Sequence, residues 1–123
     1  MSIYKHNQKW VKVNVNVDRK IAGLISALNT FPKLRTCESC EGDEHAFVTF
    51  TYGDYWNRNT KEMSGFVMDY LGPKLIKKFG DNINIRLRIN TTFINIEGEL
   101  FCCKSILSKL ADYVFQLARA YKD

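Results

Sequence analysis

The sequence predicts an α+β fold: a two-layer sandwich in which a mostly antiparallel, five-stranded sheet carries its helices on one face. Three observations lead there. Several segments alternate apolar and polar residues strictly, as strands with one wet face do. Others space their apolar residues at i, i+3, i+4 and i+7, as half-buried helices do. The strand-like segments also fall in close pairs, which short antiparallel connections can join, giving the order β-α-β-β-α-β-β-α.

The first strand runs from Trp10 to Val17, with Val11, Val13, Val15 and Val17 on one face and Lys12, Asn14 and Asn16 on the other. Asp18 stands at the N-cap of a helix whose stripe is Ile21, Leu24, Ile25 and Leu28, and Pro32 closes it. Leu34 to Ser39 reads as the second strand. Ala46 to Tyr52 reads as the third, with Ala46, Val48, Phe50 and Tyr52 opposite Phe47, Thr49 and Thr51. Asn59 and Glu62 form a capping-box pattern ahead of Met63, Phe66, Val67, Tyr70 and Leu71. Gly72-Pro73 is expected to interrupt this helix, leaving a last stretch from Lys74 to Phe79 that ends at Gly80.

Ile83, Ile85, Leu87 and Ile89 then alternate with Asn84, Arg86, Arg88 and Asn90, followed by a second run with Ile94, Ile96, Gly98 and Leu100. With Thr91 and Thr92 as the turn, Ile89 faces Ile94, Leu87 faces Ile96 and Arg86 faces Glu97; a longer loop in the same phase is the alternative, because Thr-Thr is poor two-residue turn chemistry. From Ser105 onward, Ile106, Leu107, Leu110, Val114, Leu117 and Tyr121 describe a closing helix. The expected core comprises Val13, Val15, Ile21, Leu24, Leu28, Val48, Phe50, Phe66, Tyr70, Ile85, Leu87, Ile96, Leu110 and Val114.

At 123 residues and 46% hydrophobic composition, the expectation is one domain spanning 1–123. No apolar run approaches the roughly 20 residues of a membrane span, and MSIYKHNQKW lacks the apolar stretch of a secretory signal. A cytoplasmic protein with no membrane partner is expected. The net charge of +5 is spread along the chain, and the densest charge cluster, Glu38, Glu41, Asp43 and Glu44, is acidic. A mixed, solvated surface follows, compatible with a polyanionic partner without demanding one.

Chemistry concentrates in Thr36-Cys37-Glu38-Ser39-Cys40-Glu41-Gly42. Cys37 and Cys40 have the C-x-x-C spacing of a zinc or redox pair. A structural zinc needs four ligands, however, and only Cys102, Cys103, His45 or His6 remain to complete a set. Reduced thiols, no metal and no cofactor are therefore expected. No nucleophile elbow, Walker A loop, G-x-G-x-x-G or H-E-x-x-H occurs, so hydrolase, kinase and dehydrogenase classes lose their usual support. Beyond Gly53, Tyr55 and Trp56 stand beside Arg58 and Lys61, an aromatic and basic combination suited to stacking on bases and contacting phosphates.

Asp18, Ile21, Leu24, Ile25, Leu28 and Asn29, then Thr36, Ser39, Cys40 and Gly42, resemble the amino-terminal pattern D-x-x-I…L(I/L)…N…T-x-S-C-x-G of the wybutosine-tRNA methyltransferase family. The resemblance covers residues 18–42, about a fifth of the chain. It implies a cytoplasmic mixed α/β protein with an RNA or nucleoside-like ligand near Ser39 and Cys40. Cys37 stands where the pattern has a hydroxyl residue and Glu41 where it has a small one, so no catalytic role carries over. Combining the two segments, the expected binding residues are Ser39, Cys40, Gly42, Tyr55, Trp56 and Arg58. The functional readings, in order, are a ligand- or RNA-binding domain related to tRNA modification, a non-enzymatic protein-interaction module such as a small inhibitor or regulatory subunit, and an S-adenosylmethionine-dependent transferase. If these strands form a hairpin, the two site segments leave its opposite ends and meet only if the chain folds back after Gly53. The polar sheet face around Asn84, Arg86 and Arg88 is the next candidate.

Overall fold

A computed structural model describes residues 19–42, 44–53, 60–90 and 95–121. The order along the chain is α1 (Arg19–Leu28), β1 (Leu34–Glu41), β2 (His45–Tyr52), α2 (Thr60–Ser64), a π-helical segment (Gly65–Leu71), α3 (Gly72–Phe79), β3 (Ile83–Asn90), β4 (Asn95–Cys103) and α4 (Leu107–Ala120). Among the described residues the sheet has four strands, antiparallel throughout, in the order β1-β2-β4-β3. The expected strand at 10–17, with its core residues Val13 and Val15, and the expected caps Asp18 and Asn59 lie outside the described residues.

The two-period pattern is realised as predicted on β2. Ala46, Val48, Phe50 and Tyr52 are buried against the helices, where they join Ile21, Leu24, Leu28, Phe31, Leu75, Leu100, Leu110 and Val114 in one core. Tyr70, Ile85, Leu87 and Ile96 pack against it half-buried. The spacing that made α1 amphipathic also seats it on α4, close enough that a methyl group added at Gly23 would touch Ala111 at 3.7 Å. Among the described residues no helix is long and apolar enough to cross a membrane.

Two sequence expectations are corrected. The β3–β4 hairpin is shifted by two residues: Ile89 pairs with Ile96, Leu87 with Gly98 and Arg86 with Glu99. This is the register of the longer connection in the same phase, with β3 ending at Asn90 and β4 beginning at Asn95; the partners tied to a two-residue turn are displaced, and the facing of every side chain is kept. Gly72-Pro73 does not interrupt its helix either. Pro73 has no N–H to give, and the chain instead runs through in π register, with the Gly72 N–H donating to the Val67 carbonyl five residues back. A Cβ at residue 72 would stand 2.5 Å from that same carbonyl, so glycine fits where no other side chain does.

The two central strands approach closely at Gly98. Gly98 pairs with Phe50, and a Cβ there would lie 2.5–2.9 Å from three atoms of the Phe50 ring. Phe50 is fully buried and has no room to retreat. Gly98→Ala should therefore destabilise the protein by about 1–3 kcal/mol in chemical denaturation, and an unchanged midpoint would show that the ring can move. Leu24 is 1% exposed at the centre of the core. Leu24→Ala should cost about 2–5 kcal/mol, and a near-neutral result would contradict the packing of α1 described above.

Candidate functional site

Among the described residues the core clusters the helices on one side of the sheet, leaving the other side to Phe47, Thr49 and Thr51 of β2, Glu97, Glu99 and Phe101 of β4, and Asn84, Arg86 and Arg88 of β3. What β1 adds to this face is decided by a bulge. The pairing changes register between Thr36 and Ser39, with Thr36 opposite Phe50 and Ser39 opposite Val48. Three residues apart in a regular strand, Cys37 and Cys40 would point to opposite sides. The bulge puts both on the helix-free face, Cys40 directly opposite Phe47. The backbone N–H of Glu38, displaced from the ladder, donates to Thr49 Oγ1 at 3.0 Å. That bond accounts for a threonine 0% exposed on the polar side of the sheet.

The register assembles one transverse row across all four strands: Cys40, Phe47, Phe101 and Asn84. Phe47 and Phe101 are half-buried, with ring centroids 5.7 Å apart and planes tilted by 31°. The Arg86 guanidinium lies 5.1 Å from the centre of the Phe101 ring. Beside this row, Arg86 Nε meets Glu99 Oε1 at 2.8 Å, and Arg88 bridges two carboxylates, Glu99 Oε2 at 2.9 Å and Glu97 Oε1 at 3.6 Å. Both glutamates are buried while the Arg86 side chain remains 61% exposed, so acids fill the face and guanidinium groups form its outer surface.

Desolvation acts to raise the Glu99 carboxyl, but hydrogen bonds from Arg88 and Arg86 outweigh it and hold the group below its ordinary value. The Cys37 thiol is pushed up, first by burial of the sulfur although the residue as a whole is exposed, then by the carboxylates of Glu97 and Glu38. Cys102 is pushed up to about 11 by burial and by Cys103. Neither thiol is a thiolate near neutral pH, which removes the activation that a nucleophilic or redox cysteine requires. Among the described residues no three His, Cys, Asp or Glu side chains are gathered to hold a metal ion. Comparison with protein-family models, with curated proteins and with solved structures gave no match.

Of the residues anticipated from sequence, Ser39, Cys40 and Gly42 are described. Ser39 and Cys40 are exposed on β1, and Gly42 follows in the β1–β2 turn. That turn is pinned by Lys104, whose Nζ contacts Glu41 Oε2 at 2.9 Å and donates to the Gly42 carbonyl at 2.8 Å, while the Gly42 N–H donates to the His45 carbonyl. Tyr55, Trp56 and Arg58 lie outside the described residues. Their segment leaves β2 after Tyr52, which pairs with Leu34, at the opposite end of the hairpin from Glu41 and Ala46. Six residues of strand separate the two ends, about 20 Å. The described residues thus place Cys40 with the sheet-face group around Asn84, Arg86 and Arg88, which the sequence offered as its second candidate.

Asn29 and Thr36, both part of the family resemblance, bond to each other: the Asn29 amide donates to Thr36 Oγ1 at 3.0 Å, and the Thr36 N–H donates to Asn29 Oδ1 at 3.2 Å. Their task here is to tie the end of α1 to the start of β1. Phe101, which sequence reasoning passed over, was signalled by its alternation with the buried Leu100 and Cys102.

Because the folded Glu99 carboxyl sits below its unfolded value, its stabilising effect is complete above the unfolded value and is lost as pH falls through the folded one. Urea midpoints measured across the acid range should fall more steeply for the wild type than for Glu99→Gln. Parallel acid limbs would show that the ion-pair group contributes nothing to the pH dependence.

Proposed function

We propose that this chain is a cytoplasmic, non-catalytic domain that binds short single-stranded RNA on the helix-free face of its sheet, in a role related to tRNA modification. The observation that carries this reading is the pair Phe47 and Phe101, directly opposite each other on the two central strands, part-exposed and flanked by Arg86. Flat rings on central strands are what a sheet needs to stack unpaired bases, and a guanidinium at the ring edge can meet the phosphate of a stacked nucleotide. Asn84 and Cys40 at the two ends of the row offer polar contacts to base edges. The likeness of residues 18–42 to an RNA-modifying family implies a ligand near Ser39 and Cys40, and of these Cys40, opposite Phe47, belongs to this face while Ser39 stands opposite the core residue Val48.

Charge defines the mode of binding. Among the described residues, the guanidinium groups of Arg86 and Arg88 on this face are already paired with the carboxylates of Glu97 and Glu99, so in this reading stacking rather than bulk attraction provides most of the affinity. In a filter-binding titration with short unpaired oligoribonucleotides, Phe101→Ala should weaken binding by about 1–3 kcal/mol with the circular dichroism spectrum retained. Arg86→Ala should lower the slope of log affinity against log salt by about one. Absence of RNA retention at low salt would eliminate this reading and leave the protein-interaction module in its place.

A further inference from the structure

We infer that β3 is a dimerisation strand: two copies of this chain pair antiparallel along it, about a two-fold axis through Leu87, and join their described strands into one continuous sheet. The inference stands independently of the sheet-face reading, because it rests on the edge of the sheet and not on its rings.

Among the described residues the sheet has two outer strands, β1 and β3, and they are guarded differently. An outer strand offers alternate N–H and C=O groups to any other strand, and proteins obstruct such pairing with bulges, prolines, lysines or charges turned to the apolar side. β1 carries a bulge between Thr36 and Ser39. β3 carries none of these: its 8 residues, Ile83 to Asn90, pair with β4 without a break, and INIRLRIN contains no proline or lysine. Both of its arginines turn to the helix-free face, where they are ion-paired with Glu97 and Glu99. The strand expected at 10–17 lies outside the described residues; the sequence runs from it into α1, which packs on β1 at the opposite edge of the sheet.

The order of residues along β3 identifies the partner. Asn84-Ile85-Arg86-Leu87-Arg88-Ile89-Asn90 reads the same in both directions about Leu87. Two-fold symmetry pairs residues equidistant from its axis, so with Leu87 opposite the partner's Leu87, Ile85 meets the partner's Ile89 and Arg86 meets the partner's Arg88. Directly opposite residues on paired strands share a face, and the helices of both copies therefore fall on the same side. The apolar row gains most from this. Ile85 and Leu87 are half-buried within one copy, whereas Ile89 is 69% exposed, and the second copy lays an isoleucine beside it. Like charges placed opposite each other are destabilising on their own. Here Arg86 arrives bonded to Glu99 at 2.8 Å and Arg88 to the same carboxylate at 2.9 Å, so ion pairs meet rather than bare cations.

The test uses the full chain. Sedimentation velocity over about 10 μM to 1 mM, where interfaces below the standard size assemble, should show a monomer–dimer equilibrium. Ile89→Lys, at an exposed position, should raise the dissociation constant of the dimer about tenfold or more, the worth of one isoleucine side chain withdrawn from water, while the amide spectrum stays dispersed. The register is read without any substitution by mixing labelled and unlabelled protein. Isotope-filtered NMR should show contacts between Ile85 of one copy and Ile89 of the other, residues about 13 Å apart within a single strand. A chain that stays monomeric throughout would overturn the proposal, leaving the edge to a foreign strand if the β3 amides exchange freely and to another segment of the same chain if they are protected. A dimer indifferent to Ile89→Lys, or one without contacts between Ile85 and Ile89 of different copies, would overturn it by placing the interface elsewhere.

Discussion

The contact between Phe50 and Gly98 sets the spacing on which the rest of the molecule is arranged. These residues face each other on the two central strands, and the missing side chain of Gly98 is the space the Phe50 ring occupies. With that volume filled from one strand only, Phe50 joins Leu24, Leu28, Leu75 and Leu110 in one core. The pairing also fixes the phase of β2 against β4. Because strands alternate, the choice that sends Phe50 inward sends Phe47, Thr49 and Phe101 outward. The candidate RNA face is thus a geometric consequence of how the core is filled.

On that outward face, one irregularity changes what the sheet presents. The bulge in β1 frees a backbone N–H, and Thr49 receives it. The hydroxyl of a residue on the adjacent strand thereby substitutes for a lost ladder bond, and the strand continues beyond the bulge with its alternation reversed. Cys40 enters the aromatic row through this reversal. On the same face two buried glutamates are met by Arg86 and Arg88, which bring cationic donors to their oxygens.

Much of this was legible in the sequence, for reasons that differ by element. The helices and the inward faces of β2, β3 and β4 follow from apolar period alone, which local residues determine. Ile85, Leu87 and Ile96 were assigned the correct side even though the hairpin register was displaced, since period is blind to a shift of two. Partner identity was not legible, because Thr91 and Thr92 carry no strong turn signal and register depends on the other strand. The bulge was equally hidden: Cys37 and Cys40 have C-x-x-C spacing and read as plain thiols, and only the pairing with β2 reveals which way each one points. Reading Gly72-Pro73 as a break applied the correct local rule, but the helix avoided the missing N–H by changing its hydrogen-bond register.

That change of register has an angular consequence. A helix that carries one extra residue through a π segment emerges rotated by about 100° relative to an uninterrupted one. The stretch before Pro73 directs Phe66 and Tyr70 towards Phe31, Tyr52 and Tyr121, whereas the stretch after it seats Leu75 in the core and packs along β3. One rod therefore serves two partners that lie in different directions around its axis. Gly72 stands at the junction of the two stretches, its N–H closing the π turn on the Val67 carbonyl.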